Sequence, residues 1–212
     1  MNRRGLLVDY GGVLTTSVFE SFERFAAAEA LAPGAVPALL AADPAARRLL
    51  AGLETGRLAE ARFEEGFAAL LGVPAPGLIG RLLAAARPDR AMRETVRAAA
   101  RLGVPTGLVS NSWGTARYPA DGLRELFTGI VLSGDVGVRK PSREIYELGA
   151  RSIGLEPAQC VFVDDLPANL AAAEALGMAT VHHTDAAATA AALGRLLGLD
   201  LAPRAAEPGK AP

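Results

Sequence analysis

Leu6-Leu7-Val8 is an apolar run that stops at a carboxylate, Asp9, with Gly11-Gly12 close behind. The run is too short for a helix and reads as a buried strand. The glycines let the backbone turn sharply and approach a ligand closely. Alone, the segment has two readings: Asp9 caps the next turn, or it stands at the carboxyl edge of a parallel sheet, where open α/β folds bind ligands. The same punctuation recurs along the chain. Thr106-Gly107-Leu108-Val109 runs into Ser110-Asn111, Ile130-Val131-Leu132 precedes a loop carrying Lys140, and Val161-Phe162-Val163 ends in Asp164-Asp165. Ala179-Thr180-Val181 is a fifth such run. Helical periodicity separates these strands, which predicts an α/β fold with a doubly wound, Rossmann-like parallel sheet. Its strand ends share one edge, so Asp9, Ser110, Asn111, Lys140, Asp164 and Asp165 are expected to converge.

Between the first two strands the pattern is purely helical. Ser17 with Glu20 three residues on is a capping-box signature, and Val18, Phe22 and Phe25 then share a helical face. Helical stretches follow over Leu39–Leu53, where Pro44 must start or interrupt a turn, over Leu58–Leu71 and over Leu78–Ala86. These four pieces predict a small antiparallel bundle. The expected organisation is an α/β core over 1–16 and 89–201, a helical cap over 17–88, and a disordered tail over 202–212, rich in Pro, Ala and charge. Hinges are expected near Thr15–Ser17 and Arg87–Asp89.

The 212 residues are 50% hydrophobic, enough for one sizeable core, and carry a net charge of −1. Such a balance argues against a nucleic-acid partner or a basic membrane patch. No stretch approaches membrane-spanning length and none reads as a signal peptide, so a cytoplasmic protein is expected. The single Cys160 excludes an internal disulfide and reads as a core thiol. Of His182-His183, one is expected to pack at the sheet edge and the other to face solvent. Trp113 either lines a pocket or packs its own loop. Arg57, Arg62 and Arg81 can meet an anionic substrate or simply remain solvated. The sequence leaves the oligomeric state open.

Three converging carboxylates need a cation, and oxygen-only ligands favour Mg²⁺. Such a cation can hold a phosphate oxygen beside Asp9, whose attack on phosphorus gives an aspartyl-phosphate. Lys140 adds positive charge, Ser110 and Asn111 can donate hydrogen bonds to the transferred group, and N–H groups around Gly11-Gly12 can complete a phosphate cradle.

These motifs, in this order, resemble the haloacid dehalogenase (HAD) superfamily. Asp9 to Thr15 resembles its first motif, Leu108-Val109-Ser110-Asn111 its second, Lys140 before Pro141 its third, and Val163-Asp164-Asp165 with Asn169 its fourth. The helical insertion resembles the family's small four-helix cap. Leu53-Glu54-Thr55-Gly56 resembles the branch containing the amino-terminal phosphatase domain of soluble epoxide hydrolase. The resemblance implies a Mg²⁺-dependent phosphatase of a small organic phosphate. Asp9 is then nucleophile and metal ligand, Asp165 is a direct metal ligand, Asp164 lies close by or pairs with Lys140, and the Gly11 carbonyl is a further metal ligand.

One residue departs from the family pattern. Phosphatases of the family carry a second Asp two residues after the nucleophile as general acid, and here that position is Gly11. General acid catalysis is worth about 10²–10⁴-fold, so the expectation is a slow phosphatase or one restricted to good leaving groups. Two other functions compete. A metal-independent dehalogenase has little use for adjacent Asp164 and Asp165, whose repulsion calls for a cation. That branch also places a Tyr where Gly11 stands. A degenerate site that binds phosphate or a ligand without turnover is the other alternative.

Overall fold

The structure, a computed structural model, describes residues 3–114, 118 and 120–201. Strands β1 (Gly5–Val8), β2 (Thr106–Ser110), β3 (Gly129–Leu132), β4 (Cys160–Asp164) and β5 (Ala179–His182) form one parallel sheet in the order β3-β2-β1-β4-β5. From β1 the chain winds outward through β2 to β3, then returns to β4 on the opposite flank. The switch point therefore lies between β1 and β4, where such sheets open a crevice. The register pairs Val8 with Val163, so the residues that follow, Asp9 and Asp164, leave the sheet side by side.

Side chains alternate across the sheet. Leu6 and Val8 face α6 (Arg90–Arg101) and α11 (Ala186–Leu197), packing with Met92, Val96 and Leu193. Leu7, Val109 and Phe162 face the opposite layer, with Ile145 and Tyr146 of α9 (Arg143–Ser152) and Leu170 of α10 (Pro167–Glu174). Both faces are covered, as buried strands require, and the doubly wound expectation holds. Among the described residues no helix is long and apolar enough to cross a membrane.

The stretch between β1 and α6 holds α1 (Val18–Ala28), α2 (Ala35–Ala42), α3 (Pro44–Glu54), α4 (Glu60–Leu71) and α5 (Leu78–Leu82). That is one helix more than the sequence predicts. The Leu39–Leu53 pattern is cut where Asp43 accepts a bond from the Ala45 N–H at 2.6 Å and Pro44 takes the first helical position, a strong start signal. Ser17 stands at the α1 N-cap as expected, but its side chain makes no capping hydrogen bond. These helices enclose their own apolar cluster, including Phe22, Phe25, Phe63, Phe67 and Leu82. The chain enters and leaves through an antiparallel bridge between Thr15 and Pro88, where the Thr16 N–H donates to Arg87 O at 2.7 Å and the Asp89 N–H to Leu14 O at 2.9 Å. After β2 come α7 (Ala120–Arg124) and, after β3, the short α8 (Ser133–Val136). The expected disordered tail lies outside the described residues.

Candidate active site

Asp9 follows β1 directly, and its N–H continues the ladder by donating to Val163 O at 2.9 Å. The sheet thereby fixes its backbone at the switch-point crevice. Lys140 arrives from the loop before α9 and is only 1% exposed. Its Nζ lies 2.7 Å from Asp9 Oδ1 and 2.7 Å from Asp164 Oδ2, over the Phe162 ring at 5.5 Å from the centroid. Asn111 holds this loop: its Oδ1 accepts the Lys140 N–H at 2.8 Å and its Nδ2 donates to the Lys140 carbonyl at 3.1 Å. A side chain expected to face the ligand thus clamps the lysine's own peptide, with one amide N–H left over.

The acidic pair divides. Both Asp164 oxygens are engaged: Oδ1 accepts from the Leu166 N–H at 2.9 Å and Asn169 Nδ2 at 3.0 Å, and Oδ2 from Asn169 at 3.1 Å and Lys140. Asn169 is fixed in turn by Tyr146, whose hydroxyl donates to its carbonyl at 2.9 Å. Asp165 turns toward the first loop instead. A Cβ on Gly12, which sits at φ +75°, would come within 2.3 Å of Asp165 Oδ2, so only glycine leaves that carboxylate its place.

Ligand oxygens of Asp9, Asp164 and Asp165 lie within 4.8 Å of one another. Burial raises Asp9 to about 7 against the pull of Lys140, with the charges of Asp164 and Asp165 adding to the rise. Burial and Asp164 raise Asp165 to about 6. Burial opposes the charge on Lys140, but Asp9 and Asp164 outweigh it and hold the ammonium above its ordinary value. Three carboxylates around one cation leave an excess of negative charge. The ammonium serves Asp9 Oδ1 and Asp164 Oδ2, which leaves Asp165 and the second oxygen of Asp9 to a further positive charge, and an all-oxygen set of this kind fits a small hard cation.

Beside the carboxylates opens a cavity of about 500 Å³, lined among others by Gly11, Val18, Leu83, Ser110, Asn111 and Trp113. Ser110 Oγ hydrogen-bonds the Tyr118 hydroxyl at 2.9 Å. Trp113 satisfies both of its expected readings, lining the cavity and packing on Phe22 and Phe63 at 5.6 and 5.7 Å between ring centroids. The three candidate arginines do not line it. Arg57 donates to Thr55 Oγ1 at 3.0 Å, Arg62 pairs with Glu65 at 2.8 Å and Arg81 with Glu29 at 2.9 Å. His183 is buried against Thr189 at 2.8 Å while His182 is exposed, and burial pushes the Cys160 thiol up to about 11, so none of the three is a nucleophile in waiting.

The sequence missed Glu54 as part of the site's surroundings. It ends α3 buried, with Oε2 3.0 Å from Arg139 Nε, next to Lys140 in sequence. Its backbone carbonyl accepts from Ser133 Oγ, which itself accepts the Ser112 N–H at 2.9 Å. Helical insertion and sheet edge therefore touch beside the lysine loop. Glu54 was visible in sequence only as part of the branch-like segment Leu53-Glu54-Thr55-Gly56, and nothing in its spacing tells that it pairs with Arg139.

A family model described as haloacid dehalogenase-like hydrolase matches residues 4–177. The chain belongs to that family. This HAD-like hydrolase is 37% identical over 121 residues to the sesquiterpene phosphatase astK of Aspergillus oryzae, covering 53% of this chain and 59% of that one. It is 28% identical over 128 residues to the bifunctional epoxide hydrolase 2 of Rattus norvegicus, covering 57% of this chain and 23% of the relative. The matches thus span less than two thirds of the first relative and about a quarter of the second. The magnesium complex of a HAD family enzyme from Bacteroides thetaiotaomicron shares the fold at TM-score 0.63 and 20% identity, over 86% of this chain and 94% of that one. So does an L-2-haloacid dehalogenase, at TM-score 0.61 and 20% identity, over 85% and 86%.

Two predictions arise from this HAD-like site. Gly56 has φ +67°, and an added Cβ would lie 2.4 Å from the Gly134 carbonyl oxygen where insertion meets core. Gly56→Ala is expected to cost about 2 kcal/mol, read as a melting temperature lower by roughly 4–8 °C; an unchanged Tm would refute the contact. The second concerns pH. Asp9 rises from 3.8 to about 7 and Glu54, chiefly through burial, from 4.5 to about 7. Groups raised on folding lend stability that is complete below their unfolded values and lost as pH climbs through the folded ones. Metal-free protein should therefore lose stability between about pH 4 and pH 7, and a Tm that rises across this range would contradict the charge assignment.

Proposed function

We propose that this HAD-like hydrolase is a Mg²⁺-dependent phosphatase of a small organic phosphate, acting through an aspartyl-phosphate on Asp9. The observation that carries the reading is Asp9 held between the Lys140 ammonium and the open carboxylate of Asp165. Asp9, Asp165 and the Gly11 carbonyl would hold the ion, with Asp164 beside them as the anchor of Lys140. When bound, Mg²⁺ supplies neutralisation of a phosphate oxygen beside Asp9. The Asp9 carboxylate attacks phosphorus, and the bond from phosphorus to the leaving oxygen breaks. Lys140 and the free donors of Ser110 and Asn111 stabilise charge on the transferred group. Water then attacks phosphorus, the bond to Asp9 breaks, and inorganic phosphate leaves. The helical segment 17–88 serves as a cap on the core 1–16 and 89–201, moving about the Thr15–Pro88 bridge to exclude water.

The test is release of phosphate from para-nitrophenyl phosphate with Mg²⁺ against chelator, together with melting of the protein. At a Mg²⁺ concentration near 100-fold its Kd, binding adds about 2.7 kcal/mol, an upward Tm shift of roughly 5–10 °C for a chain of this size. Turnover that ignores the chelator, or chloride release from 2-haloacids in place of phosphate release, would overturn the reading.

A further inference from the structure

The cavity beside Asp9 is lined mostly by apolar surface. Gly11, Ser110 and Asn111 stand where the phosphate must enter, while Val18, Leu83, Ala86 and Trp113 supply much of the remaining wall. No side chain lining it among the described residues carries a charge. The cations nearby are committed: Lys140 to Asp9 and Asp164, Arg139 to Glu54. The polar side chains are largely engaged too, and the spare donors of Ser110 and Asn111 lie at the phosphate end. Ser110 is bonded to Tyr118, Asn111 to the Lys140 peptide, and Thr15 Oγ1 accepts from the Gly12 N–H at 3.1 Å while donating to Thr16 O at 3.0 Å. A leaving group rich in hydroxyls would bury them against partners already engaged, and each unpaired group costs about tenfold in affinity or more. A second anionic group would be desolvated with no counter-charge.

Position 11 narrows the class further. A Cβ on Gly11 would lie 3.0 Å from Val18 Cγ2, so the apolar wall reaches the place from which an acid would protonate the departing oxygen. A phenol, with pKa about 10, departs without that proton far more readily than an aliphatic alcohol.

From these contacts we propose that the substrates of this site are monophosphates of uncharged, apolar aromatic hydroxy compounds, not sugar phosphates, nucleotides or other polyanions. The inference rests on the phosphatase reading above. Taking ~30 Å³ per water, the cavity of about 500 Å³ has room for a fused two-ring group. Trp113, Tyr10 and Tyr118 give it aromatic faces, the two tyrosine rings 4.8 Å apart.

The experiment measures kcat/KM at saturating Mg²⁺ for 1-naphthyl phosphate, phenyl phosphate, glycerol 3-phosphate, glucose 6-phosphate and AMP. Calorimetric binding of 1-naphthyl phosphate and glucose 6-phosphate to the Asp9→Asn protein supplies a readout independent of turnover. Expected are a naphthyl preference of about tenfold over phenyl and of at least about 100-fold over the sugar phosphate and the nucleotide, with the same order in binding. Leu83→Arg should remove at least about tenfold of the naphthyl activity and raise that on AMP; Ala86→Leu, a smaller change in the same wall, should depress naphthyl selectively over phenyl. Mg²⁺-dependent turnover favouring glucose 6-phosphate or AMP would overturn this inference and leave the phosphatase reading standing. Silence on every phosphate in folded protein would instead sink the phosphatase reading, and this one with it.

Discussion

Asp9→Asn is expected to lower phosphate release by at least about 10³-fold while leaving a folded protein. The substitution preserves shape and keeps an oxygen to accept from Lys140, so the contact at 2.7 Å survives in kind. What it removes is the proposed nucleophile and one of the three clustered carboxylates. Stability should move the opposite way to activity. Burial holds the Asp9 carboxyl up at about 7, so its ionised form is a liability of the metal-free protein at neutral pH, and an amide has no such cost. Asp9→Asn without Mg²⁺ should accordingly melt no lower than wild type at pH 7.5 and lose most of the Mg²⁺-induced shift. Phosphate release within tenfold of wild type would remove Asp9 from the chemistry.

Lys140→Met is expected to damage both function and fold. The side chain is buried with two carboxylates at 2.7 Å, and stripping one partner from a buried ion pair costs about 3–5 kcal/mol. For a protein of this length that is a Tm lower by roughly 6–20 °C. Activity should fall by at least about 10²–10³-fold, the range for deleting one donor to a developing negative charge. The deficit in stability should shrink on acidification, because protonating Asp9 relieves the carboxylates left facing each other. A deficit equal at pH 5 and pH 8 would mean that Lys140 supports the core by packing alone. Lys140→Arg should not rescue, since a planar fork does not fit a point charge shared between two oxygens.

Much of this was legible in the sequence because short buried runs can only be strands, and parallel strands that alternate with helices can only present their ends together. Asp9, Lys140, Asp164 and Asp165 were placed by that logic, and Asn169 came with the fourth motif. What escaped depends on side-chain direction across long chain separations. Asn111 sits at the right strand end, but spacing does not tell that its amide closes on the Lys140 peptide. Tyr118 meets Ser110 from eight residues along the chain, and Glu54 at the end of α3 meets Arg139 of the loop after β3. The helix break at Asp43-Pro44 was visible as two good start signals that periodicity on both sides obscured. Arg57, Arg62 and Arg81 look available in sequence because the acids and carbonyls that occupy them lie off the motif map.

The close approach of Val18 to Gly11, 3.0 Å from where a Cβ would stand, bears on how position 11 can vary. An aspartate introduced at position 11 brings its Cβ against the valine methyl, so its carboxylate can be placed only together with an adjustment of Val18. The two positions are therefore coupled: a side chain at position 11 is accommodated only to the extent that Val18 gives way by a few tenths of an ångström, so the residue at 18 sets what position 11 can hold.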